Sequence, residues 1–580
     1  MKVIHNTAAR RFEAISKYAE RAIPSGAGFE WDKHANRWHT ESVAKALQLK
    51  QYMTPETLAV LGKVEADAVA AAEAAETIKQ EKLAASRATD ADIEIPAPDG
   101  LSYLPFQKAG ISYMRGLKDS LCGDEMGLGK TIQALGVVNL TTPKTVLIIA
   151  PAYLKVNWLR EAMKWLVGDY KVTVMESCGK TKANPEGIKF DATANVVIVN
   201  YDIISKPAVV KFIHSKVWGL LVCDECHYLK TSKAIRTKYV LGYKDRDDAS
   251  NDVEGIRAER RIFATGTPLL NRPSELWGLV RACGLFTNWY KYHTRYCAAY
   301  RNGFGWDTSG ADNLDELQEK LRLGFMIRRR KADVLPELPA KRHQVLEIEP
   351  SSPEQKACVR AETVAKAKIE SQTEKLKAAV AKAEVEGGKA GASYQAAVAA
   401  LKVGRLAGFT ELSKLRHDTA LAKVDVVAEH ALAAGEEGAP IIVFSHHRDV
   451  AERLFESLGG REKAVLVYGG MSQEARQAAV DRFQRGDAQY FCGTMRGAGV
   501  GITLTRSAHV IFAETDWTPA LLAQAEDRAH RIGQEESVLI QHVVLEGSLD
   551  AAMARRVVDK QIVLSAALDD ITENSGAEEE

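Results

Sequence analysis

Short apolar runs recur along two stretches of the chain, separated by segments whose apolar positions repeat at helical spacing. Thr145 to Ala150, Asn195 to Asn200, Leu220 to Cys223 and Arg261 to Ala264 make the first series. Ile441 to Ser445, Ala464 to Tyr468, Gln489 to Cys492 and His509 to Ala513 make the second. Runs this short, often β-branched and alternating with helices, predict parallel strands covered on both faces. The pattern therefore predicts two α/β lobes, at residues 101–345 and 437–565. Between them, residues 346–436 are rich in Ala, Lys and Glu with almost no strand signal, and predict a helical insert broken near Glu386-Gly387-Gly388. Residues 1–95 predict a small α+β region: strand, turn and strand over Gly28 to Thr40, then a long helix from Thr54 to Ser86. Pro96-Ala97-Pro98-Asp99-Gly100 reads as a linker. Residues 566–580 read as an acidic tail.

Composition narrows the class without naming a partner. Of 580 residues, 26% are charged and 46% hydrophobic, which is globular. The 77 basic and 76 acidic side chains leave a net charge of +1, so any nucleic-acid contact must come from local clusters. Eight cysteines show no disulfide framework, and the first residues lack the apolar core of a signal peptide. The expectation is a protein with no membrane contact, cytoplasmic (in a nucleoid or a viral host's cytoplasm) or nuclear.

Phosphate chemistry enters at Cys122-Gly123-Asp124-Glu125-Met126-Gly127-Leu128-Gly129-Lys130-Thr131, just before a helical pattern. Gly127 and Gly129 allow backbone N–H groups to wrap a phosphate, Lys130 supplies a point charge and Thr131 a hydroxyl for magnesium. The generic phosphate loop opens on glycine, whereas Asp124 stands here. A second apolar run, from Val217, ends in Asp224 and Glu225. A carboxylate at a strand end can hold Mg²⁺ through water, and its neighbour can orient or deprotonate the attacking water. Cys223, Cys226 and His227 nominally spell a haem or half-zinc motif. No second close cysteine pair exists and strand packing accounts for Cys223, so no metal or haem is expected there.

Three further stretches complete the cycle. Ala264-Thr265-Gly266-Thr267-Pro268-Leu269-Leu270-Asn271 is a strand and polar turn suited to couple a γ-phosphate to lobe movement. Gly499-Val500-Gly501-Ile502-Thr503-Leu504-Thr505 ends a strand with small polar groups, and Thr503 and Thr505 suit nucleic-acid contact. On a helix, Gln524, Arg528 and Arg531 share one face and could reach phosphates on the other lobe as an arginine finger does.

The motifs Asp124 to Thr131, Asp224-Glu225-Cys226-His227, Thr265-Gly266-Thr267-Pro268 and Gln524 to Gln534, in that order, resemble those of Swi/Snf-type superfamily-two helicase-like ATPases. The resemblance covers Leu101 to about Ala552. It extends to Gln107, which would read adenine, to Asn157-Trp158, and to Met326 to Lys331 with Leu338 to Lys341, a segment that braces the lobes. Val510 to Glu514 and Gln524 to Arg528 resemble the distant subfamily of annealing helicases and fork-remodelling translocases.

The resemblance implies two tandem RecA-like lobes of the P-loop NTPase type, with ATP and Mg²⁺ as cofactors. Lys130, Asp224, Glu225, Arg528 and Arg531 would be catalytic. Gln107, Gly127, Gly129, Lys130, Thr131 and Gln524 would bind the nucleotide, with Thr131 and Asp224 at the metal through water. It further implies a monomeric, DNA-dependent ATPase that translocates on double-stranded or forked DNA and remodels forks or DNA-bound proteins, with room for a single-stranded DNA-binding protein as partner. A strand-separating helicase and an ATP-switched DNA clamp stand as alternatives. Trp31 and Trp38, flanking Lys33 and Arg37, read either as the core of a small hairpin or as an accessory surface for DNA junctions.

Overall fold

The computed structural model describes residues 1–555 except 179, 182–183, 245–247, 267–271, 303–304, 340, 389–390, 499–501 and 517–518. The chain divides into two compact units, Met1–Ala84 and Ala85–Glu580.

In the first unit, β1 (Lys2–Asn6), β2 (Arg11–Ile15), β3 (Glu30–Asp32) and β4 (Arg37–Thr40) form an antiparallel sheet in the order β1-β2-β4-β3. Val3, Phe12, Ala14 and Phe29 make its core with Ala46 and Leu49. The hairpin expected over residues 28–40 is thus half of a larger sheet. The first two strands escape a periodicity reading because Glu13 lies buried in the middle of β2, neutralised by Arg11 at 3.0 Å and Arg37 at 2.8 Å. Helix α1 follows, Pro55–Arg87.

The unit from Ala85 holds two parallel sheets. The first contains β5 (Asp119–Cys122), β6 (Val146–Ala150), β7 (Val172–Val174), β8 (Val196–Asn200), β9 (Trp218–Asp224), β10 (Ala258–Ala264) and β11 (Met326–Ile327). Their order is β11-β5-β10-β9-β6-β8-β7, every pair parallel. Val146–Ala150 and Val196–Asn200 are buried throughout, as strands covered on both faces must be. Helices α2 (Pro105–Arg115), α3 (Lys130–Thr141) and α4 (Lys155–Trp165) cover one face around Trp158 and Trp165. The expected linker at 96–100 is no free spacer. The Pro96 carbonyl accepts from Asn139 Nδ2 at 3.1 Å, and Ser86 Oγ donates to the Met326 carbonyl at 2.8 Å.

The second sheet runs β12-β17-β16-β13-β15-β14, all parallel: β12 (Lys341–Ile348), β13 (Ile441–Ser445), β14 (Ala464–Val467), β15 (Tyr490–Thr494), β16 (His509–Phe512) and β17 (Val538–Leu545). The lobe boundary expected at residue 345 falls inside β12. All eight residues of β12 pair with β17, so the chain is already in the second lobe at Lys341. As a half-exposed edge strand, Lys-Arg-His-Gln-Val-Leu-Glu-Ile lacks the apolar run that marked its neighbours.

The helical segment therefore emerges from the second lobe and does not lie between the lobes. Helices α5 (Pro353–Gly387) and α6 (Ala392–Ala422) lie antiparallel, Gly408 facing Ile369 and Gly404 facing Leu376. Helix α7 (Val424–Ala434), expected in the insert, packs into the second lobe's core through Val424, Val427 and Ala431. The stretch expected as an acidic tail lies outside the described residues. No helix among the described residues is long and apolar enough to cross a membrane.

Candidate nucleotide site

The loop from β5 to α3 passes through Gly127 at φ +87° and Gly129 at φ +72°, left-handed conformations that a Cβ would strain. They turn the chain so that α3 opens at Lys130, with its first N–H groups unsatisfied and its dipole positive toward the loop. Lys130 Nζ donates to the carbonyls of Asp124 at 2.9 Å and Glu125 at 3.1 Å.

Asp124, the departure from the generic loop, is wholly buried. It pairs with Arg329, whose Nε lies 3.0 Å from Oδ1 and whose Nη2 bonds Oδ2, while Gln133 Nε2 donates at 2.9 Å. Burial pushes the Asp124 carboxyl up, but the Arg329 charge and these hydrogen bonds outweigh it and hold it below the carboxylate range.

At the carboxyl end of β9, Asp224 accepts from Trp158 Nε1–H at 2.7 Å and from the Glu225 N–H at 3.0 Å. Burial, reinforced by the Glu225 charge, raises it to about 6. Glu225 sits at φ +47°, a strained backbone that turns its carboxylate toward His227 Nδ1 at 3.1 Å and Thr265 Oγ1 at 3.3 Å. Burial opposes ionisation here too, but the hydrogen bond and charge of His227, with Lys130 and Arg528, bring Glu225 below its usual value. Thr267 to Asn271 lie outside the described residues. Cys223 and Cys226 are buried and their thiols pushed far up, away from the thiolate form that binds metals.

These groups face the second lobe across a cavity of about 140 Å³. Gly127, Gly129, Lys130, Thr131, Asp224 and Glu225 line one side, and Thr503, Arg528 and Arg531 the other. Arg531 Nη1 donates to Thr503 Oγ1 at 3.2 Å, and Arg528 Nε to the Gln524 carbonyl at 2.9 Å. Burial lowers both guanidinium groups, Arg531 to about 10. Hard oxygens at Thr131 and Asp224 suit Mg²⁺, and the loop, helix terminus and Lys130 suit polyphosphate, so the residues fit Mg·ATP.

The geometry corrects several expectations. The helix that was to carry Gln524, Arg528 and Arg531 on one face ends at Glu526 (α8, Pro519–Glu526). Beyond it the backbone tightens, Ala529 N–H bonding the Glu526 carbonyl, and this turn aims both arginines into the cavity. Gln524 is buried and does not line it. Gln107 does not line it either: its Oε1 caps α2 by accepting the Leu104 N–H at 3.1 Å, and its amide nitrogen abuts Gly129, so it braces the loop. Thr503 faces the nucleotide cavity, whereas the Thr505 carbonyl accepts from Gln534 Nε2 at 3.1 Å. Gly499 to Gly501 lie outside the described residues. In the amino-terminal sheet, Trp31 is 43% exposed and meets Trp38 edge-on at 5.3 Å, while Trp38 leans on the core and Arg37 is held by Glu13.

Sequence reasoning missed a clamp of ion pairs on Asp527, to which Lys331 crosses from the first lobe while Lys341 braces it from within the second. Lys331 Nζ reaches Asp527 Oδ1 at 2.8 Å, and Lys341 Nζ reaches Asp527 at 2.9 Å and Glu526 at 3.3 Å. Lys331 N–H also donates to Glu125 in the phosphate loop at 2.7 Å. Burial opposes charge on Glu526 and Asp527, yet Lys341 with His343 holds Glu526 at about 2, and Lys331 with Lys341 holds Asp527 lower still. Folded, the two acids bind fewer protons than unfolded, so the clamp stabilises fully above the ordinary values of 4.5 and 3.8 and is lost as pH falls toward about 2. Asp527→Asn is expected to lower the thermal midpoint at pH 6, and the gap to the unmodified chain to narrow below about pH 4. A gap that stays constant in scanning calorimetry across that range refutes the linkage.

Two parallel-sheet lobes that close a phosphate loop, a carboxylate pair and two arginines around one cavity define a helicase-like ATPase. Comparison with known families agrees: residues 106–389 match the SNF2-related domain and residues 422–533 the helicase conserved C-terminal domain. The chain belongs to the Swi/Snf-type helicase-like ATPases. It is 30% identical over 500 residues to the human DNA annealing helicase and endonuclease ZRANB3, covering 83% of this chain and 42% of that protein. It is also 30% identical over 504 residues to the Xenopus laevis SWI/SNF-related matrix-associated actin-dependent regulator of chromatin subfamily A-like protein 1, covering 84% and 46%. The chain spans less than half the length of these relatives. Among solved structures, the Sulfolobus solfataricus SWI2/SNF2 ATPase core in complex with dsDNA aligns at 21% identity and a TM-score of 0.36, over 82% of this chain and 96% of that one.

Proposed function

We propose that the chain is a DNA-dependent ATPase that moves along duplex DNA and remodels forked or annealing strands. The observation that carries this is the single cavity in which Lys130, Thr131, Asp224 and Glu225 of one lobe meet Arg528 and Arg531 of the other. Hydrolysis there is tied to lobe closure, since half of the charge-stabilising set arrives only with the second lobe. Thr131 and Asp224 would hold Mg²⁺, which neutralises phosphate charge when bound. Lys130 and the loop N–H groups position the phosphates, and Glu225, kept ionised by His227, takes the proton of the attacking water. The strands of a duplex or fork are the track, in keeping with the likeness to a DNA annealing helicase, and the exposed face of Trp31 is an accessory surface for unpaired bases.

Arg531→Ala is expected to lower DNA-stimulated turnover about 10³-fold, the lower end for an arginine finger. Steady-state hydrolysis within tenfold of the unmodified chain removes Arg531 from this role. The reading as a whole is tested by ATPase rates with duplex, forked and single-stranded DNA and with RNA, beside strand- and triplex-displacement assays. Triplex displacement without strand separation is the expected result. Strand separation makes the chain a true helicase, and displacement of neither a clamp.

A further inference from the structure

The first lobe carries a second concave surface, away from the nucleotide cavity. From Glu225 the chain runs through the short helix Cys226–Leu229 to Lys230 and Lys233. These border a cavity of about 730 Å³ that shares Ser232, Lys233, Trp277 and Trp289 with a neighbour of about 810 Å³, so the two form one groove. Among the described residues, Lys230, Lys233, Lys244, Arg272 and Arg281 line it. Glu275, the one carboxylate among the described lining residues, is paired with Lys230 at 3.4 Å. Lys233 and Lys244 are exposed and make no ion pair among the described residues.

The groove is also aromatic. Trp306 stands on the hairpin Tyr300–Asn302 and Gly305–Asp307, edge-on to Trp289 at 5.8 Å and to Tyr290 at 5.4 Å. Trp289 is itself stacked on His293 at 4.1 Å. The rings fix one another, yet Trp306 remains 43% and Tyr290 56% exposed. Exposed rings grouped beside Lys233 and Lys244, which make no ion pair among the described residues, mark an interaction surface. Phosphates answer the cations, and a base answers an indole face. In a duplex each base face is already covered by its neighbours, so the ring that stacks on Trp306 must belong to an unpaired nucleotide.

We propose that this groove binds a short run of unpaired nucleotides, their bases against Trp306 and Tyr290 and their phosphates along Lys233 and Lys244. The proposal deepens the DNA-motor reading and rests on it. It also gives the motor a sensor: the strand that ends in Asp224 leads directly into the groove, and Glu225 is bound to His227 at the start of that connection.

The test is fluorescence anisotropy of labelled oligothymidylate on the full chain, across a salt series. Trp306→Ala is expected to weaken binding about tenfold without changing the salt slope, and Trp306→Phe to restore it. Lys233→Ala, at an exposed position, is expected to flatten the log–log salt slope by about 0.7, one phosphate contact fewer on a single strand. Oligothymidylate affinity and salt slope unchanged in Trp306→Ala and Lys233→Ala overturn the proposal, as does displacement of oligothymidylate by polyglutamate at equal charge concentration. Duplex-stimulated hydrolysis by the unmodified chain is measured alongside. Its absence strikes the motor reading and leaves the oligothymidylate result to decide the groove.

Discussion

Lys130→Ala and Glu225→Gln are both expected to abolish stimulated ATP hydrolysis, and to do so with opposite effects on bound nucleotide. Lys130 is the cation at the helix opening, and its ammonium lies among the loop carbonyls of Asp124 and Glu125. Removing it takes away a charge-assisted contact to phosphate, and ATP affinity should fall roughly 10- to 100-fold. Glu225→Gln keeps the shape of the side chain and its place beside His227 and Thr265, but removes the base. Turnover should fall about 10²- to 10⁴-fold while ATP stays bound. Equilibrium binding of a fluorescent ATP analogue separates the two. Equal affinity in both variants would show that at least one of these residues is misassigned.

The second large effect is structural. Arg329→Ala is expected to destabilise the first lobe by about 3 to 5 kcal/mol, because it strands the Asp124 carboxylate in a wholly buried site. Arg329 also bonds the Phe106 carbonyl and Gln133 Oε1, so its loss loosens α2 and α3 together. The double variant Asp124→Asn with Arg329→Met leaves no orphaned charge and should recover much of the loss. Urea unfolding followed by tryptophan fluorescence reads both. If the single variant unfolds at the same urea concentration as the unmodified chain, the pair contributes nothing. Gly110 enforces the arrangement, since a Cβ there would lie 1.9 Å from Gln133 Oε1 and 2.6 Å from Arg329 Nη2.

What could be read from the sequence follows from how local each feature is. Val146–Ala150 and Ile441–Ser445 were legible because strands buried on both faces are written as uninterrupted apolar runs. Asp119–Cys122 and Lys341–Ile348 were not. The first opens on an aspartate whose partner, Arg261, is on the neighbouring strand, and the second is a half-exposed edge. The phosphate loop and carboxylate pair were legible because each is a few consecutive residues. The clamp of Lys331 and Lys341 on Glu526 and Asp527 joins groups nearly two hundred residues apart, and no local pattern encodes it. Asp124 was visible as a departure from the generic loop, and a buried acid in a phosphate site implies a buried base. That partner, Arg329, was already noted in the bracing segment, but for another reason. The single helical face drawn through Gln524, Arg528 and Arg531 failed because the two acids just before Arg528, Glu526 and Asp527, are committed to the lysines, and the helix ends where they are held.

Ile327 ends one sheet and Lys341 opens the other, so the two lobes are tied by a single leash, residues 328–340. Arg329 pins the near end to Asp124, and Lys331 engages Asp527 when the lobes meet. Most of the rest is folded onto the first lobe: Lys331–Val334 is a helical turn, and Leu335 is buried with Phe106 and Leu128, so only the few residues from Pro336 onward remain before β12. Pro336 and Pro339 stiffen these further by fixing φ at two positions. The separation the two lobes can reach is in this way set by covalent chain, whatever either lobe binds. Two lobes on so short a tether cannot drift far from each other, and if Lys331 and Asp527 part, the chain itself keeps them within reach.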